Sequence, residues 1–194
     1  MPNILSNDVL VWKENIANSF LVKSEYSVAL SMPHPLMVNH SSAVMDGKLW
    51  KTVWSLNVPP KVHTFLWRAC TNILPTHDNL HLKRMQMDLS CTVCYQQRKT
   101  GVHILRECLL ARNVWALVKG KTQKSRAATL DFFMLTQTMI RRLTQDELEQ
   151  WGMIMWAIWN ARNKYCFEDI QTHPESILCS VKSLLHEYQT LMAD

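Results

Sequence analysis

Cys91-Thr92-Val93-Cys94 is followed by His103 and then Cys108, four sulfur or nitrogen donors within eighteen residues, spaced C-x2-C-x8-H-x4-C. Zn²⁺ takes four such donors at tetrahedral corners, usually as two close pairs that the fold brings together. Two intervening residues let the Cys91 and Cys94 sulfurs turn to one side of a tight knuckle. His103 and Cys108 make the second pair if the segment between them is helical, because five residues are a little over one turn. The plainer alternative is that these are reduced thiols acting as small buried hydrophobes. The spacing favours metal, with Cys91, Cys94, His103 and Cys108 as ligands and Zn²⁺ as the cofactor.

The surrounding composition is that of a folded, helix-rich protein. The 194 residues are 47% hydrophobic and 19% charged, enough to bury a core. Four glycines against eleven methionines suit helices better than a sandwich with many tight turns. Of the six cysteines, Cys70, Cys166 and Cys179 lie singly in helical patterns and are expected to tolerate serine without loss of zinc. The first residues carry neither a basic n-region nor an apolar run, and no stretch reaches the roughly 18 apolar residues that span a bilayer. The expectation is an intracellular, reducing setting without a membrane partner, where clustered cysteines are ligands and not disulfides.

The net charge of +5 is unevenly placed. Between Lys48 and Arg126 fourteen Lys/Arg stand against Asp78, Asp88 and Glu107, whereas the remainder of the chain is acidic. A basic segment around zinc ligands is either a phosphate-binding surface or a solvated face that keeps the protein soluble.

Along the chain, Val9–Trp12 and Phe20–Val22 are β-branched and aromatic runs joined through Asn15–Ser19, so a hairpin is expected there. Ser24 is the N-cap of a helix carrying Tyr26 and Leu30. Met32-Pro33-His34-Pro35 and Asn39-His40-Ser41-Ser42 read as a loop. From Asp46 a helix places Trp50, Val53 and Trp54 on one stripe. Pro59-Pro60 opens a second, with Val62, Phe65, Leu66, Ala69, Cys70 and Ile73 on a face. Thr76 caps a third, bearing Leu80, Leu82, Lys83 and Arg84. Tryptophans at this spacing are core residues before they are stacking partners for bases. Val102–Val118 reads as one helix or two short ones, with Ile104, Leu105, Leu109, Val114, Trp115 and Val118 apolar. Beyond a basic connector come a helix over Leu130–Leu143, a second capped by a Thr144/Glu147 box, and a third opened by Pro174. In the second, Trp151, Ile154, Met155, Ile158 and Trp159 are the apolar face, and Asn160, Arg162, Asn163 and Lys164 make its far end polar.

Trp50-Lys51-Thr52-Val53-Trp54-Ser55-Leu56-Asn57-Val58-Pro59-Pro60-Lys61-Val62-His63-Thr64-Phe65-Leu66-Trp67-Arg68 resembles the signature of the plant reverse-transcriptase zinc-binding domain, found in polyproteins of non-LTR (LINE-type) retrotransposons. The likeness continues through Leu74-Pro75-Thr76, Asn79-Leu80, the four candidate ligands and Ala111–Trp115. Upstream it takes in Val11-Trp12 and Phe20–Tyr26, and downstream Trp156–Asn163. Leu109 stands where the family usually has proline, Lys99-Thr100-Gly101 where it has an acidic residue, and Asn18-Ser19 where it has a turn glycine. None of these removes a ligand.

The organisation expected is a mainly α protein: a hairpin–helix segment over 1–31, a linker over 32–44, the zinc-binding domain over 45–119 and a C-terminal helical extension over 120–194. The expected function is a retrotransposon-derived zinc-binding module, non-catalytic by itself, that contacts RNA or DNA phosphates through Lys61, Arg68, Lys83, Arg84, Arg98, Lys99, Arg106 and Arg112. The alternative is a zinc-stapled structural or protein-interaction domain with no nucleic-acid affinity. The resemblance implies reverse transcriptase or ribonuclease-H-like domains of a parent polyprotein as further partners, and a nuclear setting. No Tyr/Phe-x-Asp-Asp polymerase motif and no nucleophile–base pair is present, and four protein ligands leave no open position for a catalytic water.

Overall fold

The computed structural model describes residues 43–86, 90–95, 100–120 and 131–193. Within them the architecture is helical: α1 (Ala43–Trp54), α2 (Pro60–Cys70), α3 (His77–Leu82), a π-helical turn (His103–Glu107), α4 (Leu109–Leu117), α5 (Phe132–Arg142), α6 (Gln145–Glu168) and α7 (Pro174–Ala193). The hairpin and helix expected over 1–31 lie outside the described residues, as do Arg98, Lys99 and the expected linker up to residue 42; its last two residues, Ala43 and Val44, belong to α1, which starts three residues before the Asp46 the periodicity marked. The three C-terminal helices fall where the sequence pattern places them, α6 behind its Thr144 cap and α7 opened by Pro174. Thr144 Oγ1 accepts from the Glu147 amide at 3.4 Å while the Glu147 carboxylate accepts from the Thr144 amide at 2.9 Å, so the box closes both ways. Asp131, which the sequence pattern did not single out, caps α5 by accepting from the Phe133 amide at 2.9 Å.

Pro60 opens α2, where its missing N–H costs no hydrogen bond, and Asn72 closes it. Asn72 takes a left-handed φ of 55°; its amide reaches the Ala69 carbonyl and the Ile73 amide the Arg68 carbonyl. That paired arrangement ends the helix after Cys70. Ile73 therefore leaves the buried face on which periodicity had put it and is half exposed. Thr76 does cap α3, accepting from the Asn79 amide at 3.2 Å, and Asn79 Nδ2 in turn donates to the Asn72 and Leu74 carbonyls. Lys83 and Arg84 lie just past the end of α3, not within it, and Arg84 adopts a left-handed φ of 62°.

α6 is the spine. It packs against α2, α4, α7 and the π-turn, while α5 rests on α1 and α2. Trp151, Met153, Ile154, Met155 and Ile158 of α6 are buried, Trp151 stacking on Phe132 at 5.8 Å. Its contact with α2 is close enough that a Cβ on Gly152 would lie 3.2 Å from Leu66 Cδ1. Burying each such aliphatic side chain is worth roughly 1.5–3 kcal/mol, which holds the bundle against the entropy of ordering it. Polar groups lock the periphery: the buried Glu149 carboxylate accepts from the Asn57 amide at 2.8 Å, from Gln145 at 3.1 Å and from Gln189 at 2.8 Å. It thereby ties the α1–α2 loop to α6 and α7. The tryptophan stripe is only partly core. Trp115 and Trp151 are buried, but Trp54 points outward over His63, with Leu49, Val53 and Leu56 making the inner face instead, and Trp67 is also exposed. No helix among the described residues is long and apolar enough to cross a membrane.

Candidate metal centre

The knuckle begins as a turn. The Tyr95 amide donates to the Cys91 carbonyl at 2.7 Å, and Tyr95 takes a left-handed φ of 55°, which folds residues 92–94 back so that both sulfurs face inward. The second pair is set by the π-turn. In an α-helix residues five apart sit about 140° apart around the axis. Here the Cys108 amide bonds the His103 carbonyl, an i→i+5 contact of 2.7 Å, which widens the turn and stacks the two residues. Thr100 starts it, its hydroxyl accepting from the His103 amide at 3.1 Å. At Cys108 the chain switches to extended backbone (ψ 148°) before α4 resumes, which explains why Val102–Val118 is two pieces and why Leu109 is solvent-exposed. Trp115 anchors α4 to this turn through an indole N–H bond of 2.9 Å to the Leu105 carbonyl.

These segments bring all four expected donors together, their ligand atoms lying within 4.8 Å of one another. Cys91 Sγ and Cys108 Sγ are 3.8 Å apart, and Cys94 Sγ and His103 Nε2 are 3.3 Å apart. Tetrahedral zinc, with Zn–S of about 2.3 Å and Zn–N of about 2.0–2.1 Å, requires corner separations of about 3.8 Å for S···S and about 3.5 Å for S···N. The donor set and its spacing fit a tetrahedral Cys3His ion. Cys91, His103 and Cys108 are buried and Cys94 is half-buried. Nε2 is the histidine nitrogen aimed into the cluster. Nδ1 faces the Glu107 carboxylate at 3.7 Å, an outer partner of the kind that orients a metal-bound imidazole.

The electrostatics favour thiolate. The hydrogen bond from Cys108 lowers the pKa of Cys91 well below the ordinary thiol range, and the Val93 and Cys94 amides and His103 assist against the opposing effect of burial. Cys108, holding the proton that the pair shares, is pushed upward by that same bond and by burial. A divalent cation held by the four donors would take the place of such a proton.

Arg162 departs most from the sequence pattern. Instead of contributing to a polar outer end of α6 it is 4% exposed, and its Nη1 donates to Cys91 Sγ at 3.6 Å. Cys166, one turn further along the helix, lies 3.2 Å from the Thr92 hydroxyl in the middle of the knuckle. Sequence periodicity gave no sign of either contact, since both join residues more than seventy positions apart; Thr100, by contrast, stands three residues before His103, an ordinary capping signal. Cys70 sits apart from the cluster, with its thiol against Thr136, and Cys179 is exposed.

Among the expected phosphate contacts, Arg68, Lys83, Arg84 and Arg112 are exposed. Lys61 is exposed with its ammonium 4.4 Å over the Trp156 ring, whereas Arg106 is half-buried with its guanidinium 5.1 Å over the Trp115 ring.

Residues 20–115 match the family described as zinc-binding in reverse transcriptase. A putative ribonuclease H protein of Arabidopsis thaliana is 26% identical over 115 residues, which cover 58% of this chain and 17% of that protein. The chain thus spans well under a fifth of the length of that relative. No solved structure matches. The matched segment contains the whole Cys3His cluster and the turn, π-turn and α4 that build it, and over residues 20–115 the chain belongs to the reverse-transcriptase zinc-binding family of retrotransposon-like proteins.

Proposed function

We propose that Cys91, Cys94, His103 and Cys108 hold one structural Zn²⁺, and that the domain so stapled is a non-catalytic accessory module that grips nucleic-acid phosphates. The convergence of three sulfurs and one imidazole nitrogen within 4.8 Å carries the metal part of this reading. Four protein donors close a tetrahedral site, leaving no position for a reactive water. The Arabidopsis relative is named for a ribonuclease H, but the clustered groups here are thiols and an imidazole, not the carboxylates that hold paired metals for phosphodiester cleavage.

The nucleic-acid part rests on charge. Arg68, Lys83, Arg84 and Arg112 are solvent-exposed within the strongly basic Lys48–Arg126 segment, where they can meet a backbone without reading bases. Lys61 and Arg106 serve the fold at least in part through their tryptophans. Reverse transcriptase or ribonuclease-H-like domains of a longer polyprotein are the protein neighbours this reading supplies. The exposed Trp54, Trp67 and Ile73 favour a second reading, a zinc-stapled surface for a protein partner.

Fluorescence anisotropy with a single-stranded RNA and a duplex DNA separates the two. The first reading expects affinity that falls steeply with salt, and a salt slope smaller by about one for each of Lys83→Gln, Arg84→Gln and Arg112→Gln. Undetectable binding at low salt by zinc-loaded protein refutes it and leaves the protein-interaction reading.

A further inference from the structure

Resting on the metal reading above, we infer that Arg162 is the counter-charge of the Cys3His centre, so that α6 completes a site whose four ligands all lie elsewhere. Three thiolates and a neutral imidazole around a divalent ion leave one net negative charge. Cys91 is fully buried and Cys108 nearly so, which makes that charge costly unless something opposes it. Arg162 is the group in place. It is 4% exposed, and its Nη1 points at Cys91 Sγ from 3.6 Å.

The arginine needs the anion as much as the centre needs the cation. A guanidinium is charged at every pH a protein meets and is rarely buried without an anion. Among the described residues no carboxylate pairs with Arg162, and Cys91 Sγ is its hydrogen-bond partner. A neutral thiol would be a poor answer to a buried cation, whereas a zinc-bound thiolate keeps negative charge on sulfur and accepts a charge-assisted bond. Each group supplies what the other lacks. The Glu107 carboxylate lies on the other edge of His103, 3.7 Å from Nδ1, and is mostly solvent-exposed.

This gives the C-terminal extension a defined task. Residues 20–115 carry the family match and all four ligands, yet the cation comes from α6, 71 positions beyond Cys91. Arg162 is a positioning and charge-balancing residue and not a ligand. The contact also fixes where the knuckle sits against the bundle, since α6 packs on the π-turn and on α4.

The test is zinc affinity of the full chain, measured by competition with a chromophoric chelator, for native protein, Arg162→Met, Arg162→Gln and Arg162→Lys. Native protein binding one zinc establishes the centre; native protein binding none removes the centre and this inference with it. Given native binding, Arg162→Met and Arg162→Gln are expected to bind about 10–100-fold more weakly, as for loss of other outer partners. Arg162→Lys, keeping the cation, should recover most of that. Affinity unchanged in the neutral variants, or lysine as weak as methionine, overturns the counter-charge while leaving the zinc site standing. If Arg162→Met does not fold, the Gln and Lys variants decide by the same comparison.

Discussion

Raising the pH tests a cysteine that lies outside the cluster. Cys70 is 2% exposed on the inner face of α2, its thiol 3.4 Å from the Thr136 hydroxyl. Burial pushes its pKa from 9.0 up to about 12, with Asp131 adding to the rise and the Thr136 bond opposing it. Because the folded value is raised, the contribution to stability is fully present below pH 9.0 and is lost as pH climbs toward about 12. At pH 10 about 90% of unfolded chains carry an ionised Cys70, while the folded thiol remains almost wholly protonated. One pH unit above the unfolded value, the resulting loss relative to pH 7 is on the order of 1 kcal/mol. Cys70→Ala removes this ionisation. Urea unfolding of both proteins at pH 7 and pH 10, in reductant and with the same zinc concentration, isolates it as a double difference. Other titrating groups, the metal ligands included, cancel between the two proteins. The variant should lose on the order of 1 kcal/mol less than the parent over this interval. Parallel losses would mean that the Cys70 thiol ionises as readily folded as unfolded, and would refute its burial under α5.

Two further outcomes follow from the helices that support the centre. Gly152→Val should destabilise by about 1–3 kcal/mol in urea, because its Cβ would meet Leu66 Cδ1 at 3.2 Å and the two methyls need more room still; equal or greater stability would mean that α2 and α6 are not in close contact. Thr144→Ala opens the capping box of α6 and should cost about 1 kcal/mol, read as a melting temperature lower by about 2–4 °C, while an unchanged melting temperature would show that the box contributes nothing.

Much of this molecule is legible in the sequence where the determining interaction is local. Thr76 and Thr144 act on amides three residues away, and Pro60 and Pro174 open helices by the φ they fix, so their positions follow from neighbouring residues alone. The four donors are legible for a different reason: the chemistry of a metal site restricts residue type and spacing so strongly that the pattern survives ignorance of the fold. What escaped was set by tertiary contact or by a backbone turn that periodicity does not register. Ile73 continues the periodicity of α2, but the left-handed Asn72 stops the helix first. Arg162 lies between Ala161 and Asn163 in what reads as a polar end, and only the knuckle, which docks against it from distant sequence, turns that position inward. The π-turn is hidden for a related reason. A separation of five reads as a slightly overrun α-turn, whereas the widened backbone brings His103 and Cys108 onto one side.

On the reading proposed above, this cluster binds zinc and zinc holds the fold. The direct measurement is metal content per chain on this purified 194-residue chain, by elemental analysis, with far-ultraviolet circular dichroism before and after a strong chelator. One zinc per chain is expected, with a loss of helical signal on chelation and a loss of both metal and melting temperature in Cys91→Ser, while Cys179→Ser stays unchanged. Protein that contains no zinc and keeps its helicity in chelator would contradict this reading, reducing the four clustered residues to buried thiols beside a histidine.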